Sequence, residues 1–187
     1  MDVKRLILVG NKIPYKNNLA GMVDSFDYVI RISRMNNFGK TGHKTDGLYI
    51  EANHQYKYVF EGGEYKNEIR NVNSIFMRKY WHDKFNEWPS YMTRQQYDTI
   101  ELINEDKAVK DIGFERPTSA VLMLSHLINS SWIDNYKIYF TCMDVENSSK
   151  LINNNPLWAY HNGGGEFEEF YLKSLIDDGV ITRIKDQ

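Results

Sequence analysis

Apolar positions fall into short blocks separated by polar turns, and the first block sets the pattern. Lys4 to Val9 is a β-branched apolar run that ends in Gly10-Asn11, which predicts a buried strand opening into a tight turn. Asn18 to Asp24 predicts a short helix, and Tyr28-Val29-Ile30-Arg31-Ile32 a second strand of buried character. A polar loop, Met35 to Gly47, follows with glycines at 39, 42 and 47, and then short strand candidates at Leu48–Glu51, Tyr58–Phe60 and Ser74–Met77. Thr93 to Lys107 predicts a helix, and the segment holding Trp81, Trp88, Pro89 and Tyr91 a loop or lid.

The second half is sharper. Pro117-Thr118 precedes the apolar helix Ala120 to Ile128, with Thr118 or Ser119 as its N-cap. Lys137–Thr141 is a strand, Asn147–Asn155 a polar connection, Glu166–Asp178 a helix ended by Gly179, and Val180–Ile184 a last strand. Strands alternating with helices predict one three-layer α/β domain over residues 1–187 with a mostly parallel central sheet, binding its ligands at the carboxyl ends of the strands.

Composition narrows the function. A chain of 187 residues with 42% hydrophobic positions can bury a core as one domain. The formal net charge of −2 supplies no drive toward nucleic acid. The apolar run after Lys4-Arg5 falls short of the ~7–15 residues of a signal core, and no stretch approaches the roughly 20 apolar residues of a membrane span. Cys142 is the single cysteine, so no disulfide forms within the chain, and a cytoplasmic location is the expectation. The 13 tyrosines and 4 tryptophans suit stacking on sugars or bases, and equally the filling of a core.

Three stretches carry candidate chemistry. Gly10-Asn11 can meet a phosphate or ribose, or serve as an ordinary turn. Thr118-Ser119 at a helix start offers hydroxyls, N–H groups and the positive end of a helix dipole to an anion, and capping explains the same residues. Tyr160-His161-Asn162-Gly163-Gly164-Gly165-Glu166 sets a lone imidazole on a glycine-rich segment, either a surface histidine or a proton acceptor near neutral pH. There is no zinc spacing, Asp-x-Asp pair, Walker loop or Gly-x-Ser-x-Gly elbow, so neither metal assistance nor a kinase or esterase chemistry has its usual residues.

Taken in order, these stretches resemble the sialylmotifs of the family 29 glycosyltransferases, the sialyltransferases. Val9-Gly10-Asn11, Leu19, Gly21, Val23-Asp24, Asp27, Val29, Arg31 and Gly42-His43-Lys44-Thr45 are similar to the large motif. Arg116-Pro117-Thr118-Ser119-Ala120, with the strand around Ile138-Tyr139-Phe140, resembles the small motif. His161 and Glu166 reproduce the His and Glu of the very small motif. Ser33 stands where the family has Asn, and Ala120 where it has Gly. The cysteine pair linking the large and small motifs is absent, and no third motif is visible between Cys142 and Tyr160.

The resemblance implies a Rossmann-like domain of the GT-A-like variant found in sialyltransferases. It also implies an inverting, metal-independent transfer of an acidic sugar, sialic acid or Kdo, from a CMP-sugar donor to a glycan acceptor, with no cofactor. Gly10, Asn11, Ser33, Thr118, Ser119 and Ala120 would line the donor site, His161 would be the catalytic base, and Glu166 would support the loop or its helix. The alternatives are a CMP-binding protein without transferase activity, and an α/β domain that uses Gly10 and Thr118 only for turns and caps.

Overall fold

The computed structural model describes residues 3–15, 19–52, 72–146 and 161–185. Tyr58–Phe60, Asn147–Asn155 and Tyr160 lie outside the described residues. Seven strands form one sheet: β1 (Lys4–Val9), β2 (Tyr28–Ile32), β3 (Gly47–Ile50), β4 (Ser74–Arg78), β5 (Glu101–Ile103), β6 (Tyr136–Thr141) and β7 (Ile181–Arg183), in the order β5-β4-β3-β2-β1-β6-β7. Every neighbouring pair runs parallel.

Each strand is sided. Leu6 and Leu8, Ile30 and Ile32, Tyr49, Phe76, Ile138 and Phe140 face one layer. That layer is built from α4 (Glu105–Ile112), α5 (Ser119–Ile128), α6 (Trp132–Asn135) and α7 (Gly165–Asp177). Ile7, Val9 and Val29 face the opposite side with Leu19, Val23 and Phe26 around α1 (Ala20–Asp24). Leu48, Ile50, Ile75 and Met77 pack on that same side against Met35, Phe85 and Met92. A strand buried on both faces has no polar alternation, which is why β1 and β2 read as continuous apolar runs. The result is a three-layer, Rossmann-like α/β fold.

Two segments differ from the sequence expectation. Thr93–Lys107 is not one helix. Thr93 closes a capping box with Gln96 and starts α3 (Arg94–Asp98), and Asn104 accepts from Lys107 N–H at 3.1 Å to start α4. Glu101–Ile103 between them stay extended and join β4 as the edge strand β5. A charged residue opening a three-residue strand hides it in the sequence. The Trp81–Tyr91 segment is also partly helical, with α2 (Lys79–His82) and a 3₁₀ turn at Trp88–Ser90. Among the described residues no helix is long and apolar enough to cross a membrane.

Candidate functional site

The chain runs outward from β1 through β2 to β5, then returns to lay β6 on the other side of β1. Where the strand order reverses in this way, the helices on the two sides diverge and leave a crevice at the carboxyl ends of the strands. Gly10 and Asn11 stand there. A side chain at Gly10 would put its Cβ 2.3 Å from the Cys142 carbonyl oxygen, and the Gly10 N–H donates to Thr141 O at 2.9 Å. Glycine is therefore required by the approach of β1 to β6, and its N–H is already spent. Asn11 differs: its Oδ1 is buried and accepts no hydrogen bond from the described residues.

The loop after β2 is braced from within. Arg31, 1% exposed, donates to Thr41 Oγ1 at 2.7 Å, Thr41 O at 2.9 Å, Gly42 O at 3.1 Å, Lys44 O at 3.1 Å and Thr45 Oγ1 at 3.0 Å. Burial lowers its pKa to about 10, with Asp24 working the other way, so it stays charged at neutral pH. Asp24 accepts the N–H groups of His43 and Lys44 at 3.0 and 2.9 Å. Gly42, at φ +81°, leaves room for that carboxylate, since a Cβ there would fall 2.1 Å from Asp24 Oδ1. Asn37 then ties the loop to the first turn, donating to Gly10 O at 2.7 Å and Lys12 O at 2.9 Å. Ser33, 2% exposed, sits at the end of β2 with almost no surface to offer.

A second polar group lies along the same edge, over β3 and β4, around residues 116–119. Each of the four is held by a different part of the fold. Arg116 O accepts from His161 Nδ1 at 2.6 Å, and Pro117 O accepts from Arg78 Nη2 at 3.2 Å. Thr118 donates its N–H to Glu168 Oε1 and its hydroxyl to Glu168 Oε2 at 2.9 Å. Ser119 Oγ donates to Glu51 Oε1 at 2.9 Å. Thr118 has the extended backbone of an N-cap, φ −65° and ψ 151°, yet makes no side-chain cap bond. Capping does not explain these two hydroxyls, because both point at carboxylates. The first N–H groups of α5 have no side-chain cap. Ala120 is half-buried in that first turn, packed against the core.

Arg78 and Glu51 centre the group. The Arg78 Nε donates to Tyr49 OH at 3.1 Å and lies 3.4 Å from Glu51 Oε1, while Tyr49 OH donates to Glu51 at 2.8 Å. Burial opposes the Arg78 charge, but Tyr49, Glu51 and Glu105 outweigh it and raise its pKa. Burial likewise pushes Glu105 up and the Tyr49 phenol well above its ordinary value.

His161 is fixed in tautomer by its partner. A carbonyl oxygen only accepts, so Nδ1 carries the hydrogen and the lone pair of the neutral ring is on Nε2. Burial lowers its pKa below the usual 6.5; the Arg116 carbonyl opposes this, Arg78 adds to it, and Glu51 opposes it. Glu166 is exposed in the first turn of α7, where a carboxylate complements the helix dipole. The acid that reaches the 116–119 segment is Glu168, 3% exposed, whose burial raises its pKa to about 7 against two lowering bonds from Thr118.

Glu51, Arg78, Asn37 and Glu168 are absent from the sequence expectation. Glu168 left a signal, since it falls on the inward stripe of α7 with Gly165, Tyr171 and Leu172. Glu51 and Arg78 are polar residues at the ends of buried strands, a weaker mark. Among the described residues no group of three or more His, Cys, Asp or Glu is arranged to hold a metal ion.

The fold thus belongs to the parallel, Rossmann-like α/β class with a polar site along the carboxyl edge of the sheet. It is similar to the crystal structure of a mammalian sialyltransferase, with 16% identity and a TM-score of 0.59 over 99% of this chain and 70% of that one. A second structure of a mammalian sialyltransferase, in complex with Gal-beta-1-3GalNAc-ortho-nitrophenol, matches with 15% identity and a TM-score of 0.58 over the same shares. At these identities the likeness is one of fold. No protein-family model matches the chain, and no curated protein matches it.

Proposed function

We propose that the protein is a glycosyltransferase of sialyltransferase type, transferring an acidic sugar, sialic acid or Kdo, from a CMP-sugar to a glycan hydroxyl without a metal. The observation that carries this reading is the bond from His161 Nδ1 to the Arg116 carbonyl. It joins the histidine of the glycine-rich segment to the first residue of Arg116-Pro117-Thr118-Ser119 and places the lone pair of the neutral ring on Nε2. The fold shared with sialyltransferases adds to it.

In this reading His161 Nε2 removes the acceptor hydroxyl's proton as that oxygen bonds to the anomeric carbon and the bond from that carbon to the phosphate oxygen breaks. CMP leaves with the bonding pair. Such a base contributes about 10²–10⁴-fold. The uncapped N–H groups at the start of α5 face the developing phosphate charge, a role that a helix N-terminus can fill without a metal. Asn11 Oδ1, a buried acceptor without a hydrogen-bond partner among the described residues, suits a ribose hydroxyl or an amino group of the donor base.

A thermal-shift panel run in EDTA tests the reading. CMP is expected to raise Tm more than UMP, AMP or GMP, because a ligand held by the native state alone stabilises it by mass action. Equal shifts for all four would remove the cytidine assignment, and a CMP shift that needs added Mg²⁺ would remove metal independence.

A further inference from the structure

Thr118 and Glu168 form a closed pair. The Thr118 N–H donates to one carboxylate oxygen and its hydroxyl to the other, and Glu168 has no other hydrogen-bond partner among the described residues. An ionised carboxylate carries no hydrogen, so the hydroxyl must be the donor and its hydrogen is committed inward. A protonated carboxyl reverses the second bond. Its own O–H donates to Thr118 Oγ1, its other oxygen still accepts the N–H, and the Thr118 hydroxyl hydrogen is released toward the start of α5.

We propose that Glu168 is a positioning residue that sets the direction of the Thr118 hydroxyl, so that this hydroxyl donates to a bound phosphate only when Glu168 is protonated, and ligand binding takes up that proton. The inference rests on the donor-site reading above. Burial holds the Glu168 pKa near 7, in the range where the switch matters.

Among the described residues no charged side chain bonds to Glu168. On α4, Lys107 pairs with Asp111 at 2.6 Å, and Glu105 lies 3.7 Å from Arg78. On α7, Glu169 pairs with Lys173 at 2.7 Å and Glu166 is exposed. On β7, Arg183 pairs with Glu146 at 2.6 Å. Before α7, His161 is held on Arg116 and titrates below 6.5. Thr118 is the group that reads the Glu168 proton.

The test is calorimetric titration with the methyl ester of CMP, a phosphodiester whose single charge does not titrate between about pH 6 and 8.5. Wild-type affinity is expected to fall about tenfold from about pH 6.5 to 8.5, with proton uptake seen as a dependence of the binding heat on buffer ionisation enthalpy. Glu168→Gln imitates the protonated acid, since its amide donates to Thr118 Oγ1 while its oxygen accepts the N–H. It is expected to bind at the low-pH wild-type level throughout, without proton uptake. Thr118→Val is expected to bind at the weaker level at every pH. A flat wild-type profile without proton uptake, or a Glu168→Gln profile that still falls like wild type, overturns the inference and leaves the donor reading intact. No binding at any pH overturns both. Should Glu168→Gln not fold, wild-type proton uptake between pH 7 and 8.5, or its absence, decides the matter alone.

Discussion

A single hydrogen bond fixes what His161 can do. With Nδ1–H held on the Arg116 carbonyl, the lone pair of the neutral ring is on Nε2, and burial favours that neutral form. His161→Ala is expected to lower transfer by at least about a hundredfold while leaving CMP affinity nearly unchanged, because a base acts in the transition state. A base works in its unprotonated form, so the acid limb of the wild-type rate profile should lie below 6.5, the direction in which burial moves this histidine. Near-normal turnover in a folded alanine variant, or a limb above that value, would remove His161 from the chemistry. The residue scale is also where the sequence was most ambiguous. Gly10 was visible as a turn glycine, but only the 2.3 Å approach to Cys142 O shows that it serves strand packing. Glu166 and Glu168 cannot be told apart by composition; burial separates them.

At the scale of elements, the loop after β2 is held by one buried cation rather than by regular structure. Arg31 reaches Thr41, Gly42, Lys44 and Thr45 with a planar fan of donors, and a lysine ammonium has neither the reach nor the geometry to replace it. Arg31→Lys is expected to cost about 2–4 kcal/mol in urea denaturation, because buried acceptors lose their partners. A change under about 0.5 kcal/mol would show that the loop holds without it. Most elements were legible: β1, β2, β4 and α5 fall within a residue or so of their sequence bounds, since buried strands and apolar helices announce themselves by pattern. The short edge strand β5 was not, because Glu101 earns its place through Trp132 and His126, at 3.1 and 2.7 Å, which are distant in sequence. Glu51 and Arg78 escaped for the same reason: their partners come from α5, β3 and α4, and no local spacing encodes that meeting.

For the whole molecule, the sheet order decides where the site can be. The reversal beside β1 puts Gly10 and Asn11 on the same edge as the 116–119 segment and His161, so residues from three distant stretches share one rim. Alternating strands and helices made the class of fold readable, and the choice of neighbours for β1 was not, since several orders satisfy the same alternation. That choice has a consequence for biosynthesis. In the sheet β1 is central, and its partner β6, pairing Leu6 with Ile138 and Leu8 with Phe140, follows it in the chain only after β2 to β5. Until then one side of β1 presents unpaired backbone donors and acceptors, the kind of edge that invites wrong pairing. Nascent chains arrested so that only residues 1–134 have emerged are expected to be cut readily by protease, and chains emerged through Lys185 to resist it. A protected, cooperatively unfolding 1–134 fragment would show that the strands from β1 to β5 stand by themselves. If instead β6 is needed, the rim at the carboxyl edge of the sheet closes only after β6 has emerged, and chaperone occupancy during translation should persist until then.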